Sequence, residues 1–503
     1  MTPNAPVRLL TRLTGSVWIW PALIAAYVGF HRLTTPEMWR DEVSTWTAST
    51  RSLGELLRML QHIDASNGAY YILMHGWTTL FGDSPTALRL PSVLAMAGAA
   101  AFAALTAQRL FDSRIAGLAS GLLLATIPTY TRYAQEARAY ALVTCAVAAS
   151  VWMLLRALDR PSVGRWAAYS ACLALAGTVH LISLTTLSGQ SLLVLLHLWS
   201  TRHAVNRRLL WQFPLAILVA LLPAVPVVVL GTQQSGNQLG WILTPTLHDL
   251  RTFGTVLFAS RTVFQAFWVI ALATLLWPGR RLAAVQALGL AVLPVFAVWV
   301  ASQGHTSYFI DRYLLFTLPA WAALAGGGVG AIYAGARRLT PVPVGVALAI
   351  VVIAVPAWRA LPTQRLVRVT FGHEFWTDYR SAAGVIEDGF RPGDGLVAPR
   401  GGSNWAMTGP ALVFNLPRDM HPYLVFVRSS AAKAESLYEA ECAVPAECVG
   451  TSSRIWMVTG GNGVPDPFQT LPPAQAEALR AHYAPVSAKE VKGLTVTLLQ
   501  RTG

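Results

Sequence analysis

Apolar runs long enough to cross a bilayer recur from residue 16 to residue 358, and no other feature of the sequence limits its fold as tightly. A hydrocarbon core of about 30 Å takes roughly 20 apolar residues per helix. Eleven segments approach that length, near 16–35, 88–108, 115–130, 138–155, 165–181, 183–199, 210–231, 254–277, 282–301, 313–335 and 341–358. Little more than His180 divides the fifth from the sixth. Lipid offers the backbone no hydrogen bonds, so such runs fold as helices that satisfy their own. The first is not followed by a small-residue cleavage pattern and reads as a permanent helix rather than a signal peptide. The expected fold class is a polytopic α-helical membrane protein with about eleven transmembrane helices and a small C-terminal α/β domain.

Charge supports this division. Only 12% of residues are charged and 54% are hydrophobic, against about 25% charged in ordinary soluble domains. Residues 1–358 hold 24 Arg, no Lys and 11 acids, a balance of 24 − 11 = +13, and residues 359–503 hold 14 basic and 13 acidic residues, a balance of +1. A nucleic-acid partner needs its basic residues gathered on one face, whereas these arginines fall in short breaks between apolar runs. Cytoplasmic loops collect Lys and Arg. With the N-terminus inside, the cytoplasmic breaks carry Arg8, Arg12, Arg109, Arg114, Arg156, Arg160, Arg165, Arg202, Arg207, Arg208, Arg280, Arg281, Arg337 and Arg338, while the opposite breaks after the first loop hold Arg132, Arg138, Arg251 and Arg312. This arrangement puts the long first loop, 36–87, and the tail, 359–503, outside, and the expected location is the plasma (inner) membrane.

The first loop contains LGELLRML and AYYILMHGWTTLF, whose apolar spacing predicts helices lying in the membrane interface. In the tail, DYRSAAGVIED and AQAEALRAHY read as helices and GLVAP, YLVFV, RIWMVTG and LTVTLLQ as strands. Cys145 and Cys172 sit inside apolar runs as small buried hydrophobes. Cys442 and Cys448 suit a short disulfide loop in an oxidising compartment, with free thiols or half a metal site as alternatives. His75, His180 and His305 lack metal-ligand spacing, and no metal site is assigned. GGGVGA at 326–331 matches a dinucleotide-binding pattern but lies inside an apolar run, where small residues serve helix packing.

Three charged clusters end on the outer face. MWRDEVSTW places Asp41 and Glu42 just beyond the first helix, where a carboxylate can take the proton of an attacking hydroxyl; solvated acids, or acids paired with Arg40, are the plain alternative. YTRYAQEARAY carries Arg132, Glu136, Arg138 and Tyr140, and HTSYFIDRYLLF carries His305, Asp311, Arg312 and Tyr313. Arginine presents a fork of donors that fits phosphate oxygens, and neighbouring tyrosines can flank a sugar or an isoprenoid chain. Ion pairs of Arg138 with Glu136 and of Arg312 with Asp311 are the structural alternative.

Taken in order, RDE at 40–42, NGAYYILMHGW with FGDSPTALRLPS, and QEARAYAL resemble the GT-C superfamily of membrane glycosyltransferases. The resembling branch includes protein O-mannosyltransferases and the aminoarabinose transferase of lipid A, and the likeness spans about residues 16–335. NGAYY stands where related chains often carry His-Pro or Pro-Leu-Tyr. The tail resembles outer domains of actinobacterial polyprenyl-phosphate-dependent mannosyltransferases. The resemblance implies an inverting glycosyltransferase of the cell envelope that moves a sugar, mannose first, from a polyprenyl-phosphate carrier to a hydroxyl acceptor: a glycan, lipid, peptide or natural product. The catalytic acid maps onto Asp41, with Glu42 beside it; the donor-phosphate role falls on Arg138, Arg312 and Arg132. Substrate binding is assigned to Tyr70, Tyr71, His75, Glu136, Tyr140 and Tyr313. The lipid-linked donor, polyprenyl-phospho-mannose, is the one cofactor the resemblance implies, and it leaves the need for a divalent metal open. Arabinofuranosyl transfer is the alternative within the fold. A lipid or sugar transporter is a different class, set against the absence of internal repeats and midplane charges, and an envelope scaffold leaves Asp41 and Arg138 without a role.

Overall fold

The apolar runs do form helices, and their lengths decide which can cross a membrane alone. The computed structural model describes residues 16–201, 207–238, 240–369, 377–400, 406–463 and 466–502; Arg8, Arg12 and Arg202 lie outside them. Among the described residues, seven helical stretches are long and apolar enough to span: Pro85–Phe111, Tyr140–Asp159, Leu181–Ser200, Leu209–Gln234, Arg281–Ala301, Asp311–Leu339 and Val342–Leu366. Leu247–Leu257 and Arg261–Leu275 pass only as a pair, bent by 92°. The remaining expected segments are helices of 12, 13 and 17 residues, Ile19–Phe30, Arg114–Thr126 and Val163–Val179. The chain is thus a polytopic α-helical membrane protein; among the described residues seven or eight stretches have the length and composition of full spans, and the expected count of eleven is not confirmed. Apolar runs were counted through residues that end helices: Pro128 follows Arg114–Thr126, and a residue before proline is pushed to extended backbone, as at Ile127 (ψ 122°).

The residues group into two compact units. The first holds 1–33, 65–70 and 89–368. Its core joins large side chains such as Phe111, Trp166, Tyr169 and Phe213 to helix contacts made through small residues. In Leu318–Leu339 a Cβ on Gly326 would lie 2.5 Å from the Ala116 carbonyl oxygen, and one on Gly328 would fall on the Ile270 carbonyl. The GGGVGA run is therefore a packing face, as its apolar setting predicts.

The second unit holds 34–64, 71–88 and 369–503. Its five-stranded sheet has the order β2-β1-β5-β7-β6, from β1 (Gly395–Val397), β2 (Tyr423–Leu424), β5 (Arg454–Gly460), β6 (Tyr483–Val491) and β7 (Leu494–Arg501). β1 runs parallel to β2 and β5, and β7 is antiparallel to β5 and β6. β3 (Val427–Ser429) and β4 (Ala440–Glu441) pair separately. Side chains alternate across the sheet: Leu396, Trp456 and Val458 enter one core with Ala382 and Leu412, while Val397, Ile455 and Met457 enter another with Leu479. YLVFV, expected as one strand, splits at Phe426, whose φ is 65°. β6 is absent from the expected strands because it is a mostly exposed edge strand with Pro485, Lys489 and Glu490 and no apolar run. The boundary expected near residue 358 falls within Val342–Leu366, and the tail shares its unit with parts of the long first loop.

Candidate functional site

The candidate residues divide between the two units. In the second, Trp39 is extended (ψ 169°) and the chain then turns into the helix Arg40–Ser49, which puts Asp41 and Glu42 in its first turn. Acids there are favoured by the unpaired N–H groups and dipole of a helix start. The two carboxylates differ in access. Glu42 is fully buried, while Asp41 is partly exposed and lies 3.5 Å from the Arg40 guanidinium. Asp41 is the acid that solvent or a substrate reaches.

The helix is held from its other side. Val43 and Trp46 pack into the core with Ala382 and Leu412, Trp46 meets Phe414 edge to face at 5.1 Å, and its indole N–H donates to Asp83 at 3.0 Å. Arg51 donates to the Ser436 carbonyl at 2.6 Å, and Glu435 faces both Arg58 and His62 at 3.1 Å. Tyr71 is buried and gives its hydroxyl to Asp64 at 2.5 Å. His75 lines a cleft of about 180 Å³ with Ser49, Arg51 and Asp83, and its Nδ1 is 3.1 Å from the Ser49 carbonyl. Tyr438, which nothing in the sequence signals, is 39% exposed, and burial followed by the Asp64 charge pushes its hydroxyl up. Cys442 and Cys448 are joined as a disulfide.

In the first unit, the short helix Pro128–Ala134 carries Arg132 and ends in a turn holding Glu136 and Arg138 before Tyr140 opens the helix Tyr140–Asp159. The turn is fixed by hydrogen bonds, from the Gln135 amide to the Gly29 and His31 carbonyls at 2.9 and 2.8 Å and from the Ser92 hydroxyl to the Glu136 carbonyl at 2.6 Å. Glu136 is 1% and Arg138 8% exposed, and Arg138 donates to Asn67 of the NGAYY segment at 3.3 Å. Tyr70, in that segment, is buried.

Ring contacts link the two sequence clusters of this unit. Arg132 lies 5.2 Å over Tyr133, Tyr133 meets Tyr140 at 5.4 Å, and Tyr140 is 6.3 Å from Tyr313. Arg312 lies 5.3 Å over Trp241 and 5.9 Å from the Tyr313 ring centre. YTRYAQEARAY and HTSYFIDRYLLF, some 170 residues apart in the chain, thus form one aromatic group edged by arginines. Tyr133 and Trp241 belong to it without having stood out in the sequence, and so does His180, weighed there only as a histidine without metal-ligand spacing. His305 is exposed. Such a group offers guanidinium forks to phosphate oxygens and ring faces to a sugar or an isoprenoid. Among the described residues, no group of three or more His, Cys, Asp or Glu side chains could hold a metal ion.

The model of the family described as dolichyl-phosphate-mannose-protein mannosyltransferase matches residues 68–230. No curated protein sequence matches the chain. Among solved structures, ArnT from Cupriavidus metallidurans bound to undecaprenyl phosphate is similar at a TM-score of 0.58 and 14% identity, covering 98% of each chain. The apo form of the same protein gives 0.55 and 15%, over 95% of this chain and 97% of that one. The chain has the fold of the GT-C membrane glycosyltransferases, with the mannosyltransferase family's sequence pattern over residues 68–230.

Proposed function

We propose that the chain is an inverting glycosyltransferase that moves a sugar, mannose, from a polyprenyl-phosphate carrier to a hydroxyl acceptor on the outer face of the membrane. The observation that carries this reading is the group of Arg132, Arg312, Tyr140 and Tyr313 in the helical unit, within a fold whose solved example binds undecaprenyl phosphate. The description of the matching family favours mannose. Asp41 accepts the proton of the acceptor hydroxyl as that oxygen attacks the anomeric carbon. The bond from that carbon to the phosphate oxygen breaks, and the phosphate leaves with the electron pair. A single displacement inverts the anomeric configuration. Arg138 and Arg312 stabilise the charge gathering on the phosphate. The distribution of arginines among the breaks supports an outward-facing first loop and tail.

The test offers the purified protein labelled polyprenyl-phospho-mannose and polyprenyl-phospho-arabinose beside a membrane extract, and the label that moves names the donor. Asp41→Asn preserves shape but removes the base, and is expected to slow transfer by about 10²- to 10⁴-fold while donor binding persists. A variant that retains more than about a tenth of the wild-type rate, less than the smallest loss a general base gives, would move the base to Glu42 or Glu136.

A further inference from the structure

His180 lies between the helix Val163–Val179 and the turn Leu181–Thr185. Its ring meets Tyr313 edge to face at 4.7 Å and Tyr140 at 6.1 Å, and the charges of Arg138 and Arg312 both act on it. Placed among these four residues, it belongs to the arginine and tyrosine group described above. Its nitrogens are not equivalent. Nδ1 is sealed from solvent and has no hydrogen-bond partner among the described residues, whereas Nε2 is not among the sealed atoms that lack a partner. A neutral imidazole holds one N–H and one lone pair. Burial and the two guanidinium groups oppose a positive ring, and Nε2 is the nitrogen left for a ligand, so the tautomer that serves an anion carries its proton on Nε2. The ring then keeps one donor to offer, on the side away from the sealed nitrogen. An anion drawn in by the two arginines is the natural acceptor for it.

We propose that His180 is a phosphate-binding residue of the donor site, giving a hydrogen bond from Nε2–H to a phosphate oxygen of the polyprenyl carrier beside Arg138 and Arg312. This rests on the reading that the donor is a polyprenyl phosphate. The competing role is packing alone, with His180 as one more ring against Tyr140 and Tyr313.

Binding of undecaprenyl phosphate to the purified full-length chain, with undecaprenol as the uncharged control, separates these roles in the wild type, His180→Phe and His180→Gln. Phenylalanine keeps a ring against the tyrosines but has no N–H, whereas glutamine keeps N–H donors without the ring. Wild type is expected to prefer the phosphate lipid. His180→Phe should bind it about ten- to a hundredfold more weakly, the value of one hydrogen bond to a charged group, with undecaprenol binding unchanged, and His180→Gln should recover part of the loss. Phenylalanine binding the phosphate lipid as wild type does would overturn the proposal. So would a loss shared by both lipids and not rescued by glutamine. If the wild type itself shows no preference for the phosphate lipid, the polyprenyl-phosphate reading fails and takes the proposal with it.

Discussion

Arg138 is held by its surroundings before any ligand arrives. Its backbone N–H bonds the Glu136 carbonyl at 2.9 Å, its guanidinium reaches Asn67 at 3.3 Å, and it is 8% exposed. An arginine fixed in this way keeps its fork oriented, so replacing it costs more than charge alone. Arg138→Ala is expected to weaken undecaprenyl phosphate binding by about ten- to a hundredfold, the range for charge-assisted hydrogen bonds. Arg138→Lys should restore only part, since a lysine is a point charge without the planar fork. Full binding by the alanine variant would make Arg138 a structural residue. Residue types and spacing in the sequence were enough to single out Arg138 and the acidic pair. Only the family resemblance put the acid on Asp41 rather than Glu42, because which of two adjacent acids is buried depends on what the helix packs against, here through Val43 and Trp46. Residue types and spacing could not single out His180, a lone polar residue in an apolar stretch whose ring partners lie far away in the chain.

At the scale of elements, each of the eleven apolar runs contains a helix, because the bilayer imposes the same demand on each, while the short helices Pro128–Ala134 and Leu247–Leu257 were not separately located. Apolar length could not say which of the runs reach full span length, since breaks such as that at Pro128 are set by single residues within apolar composition. The tail was legible where strands are central and apolar, as in β5 and β7, and illegible at its edge, where β6 exposes polar side chains to solvent. The GGGVGA face carries a consequence for packing. Gly328 sits against the Ile270 backbone with no room for a methyl group, whereas Gly335, farther along the same helix, has open space around it. Gly328→Ala should destabilise the protein by about 1–3 kcal/mol or more, the usual cost of overpacking a filled interior. Gly335→Ala should leave stability close to that of wild type. Thermal unfolding of both variants in detergent checks the pair, and equal midpoints would refute the close contact at Gly328.

For the whole molecule, the fourteen arginines assigned to one set of breaks and the four assigned to the other predict the orientation. A reporter fused after residue 358 is expected to be active only outside the cytoplasm, and one fused near residue 205 only inside. Reversed activities would turn the first loop and the tail to the cytoplasmic face and overturn the outward-facing chemistry. One further consequence concerns time rather than place. The helix bearing Asp41 buries Val43 and Trp46 in a core completed by Trp456, Leu494 and Val496, and Arg51 bonds a carbonyl 385 positions later. A ribosome makes the acid early and its support last. During synthesis the Asp41 helix has no finished core to rest on until β7 emerges, so a chain cut short before β7 carries every full-length apolar helix among the described residues and yet lacks part of the support for the acid proposed as the base.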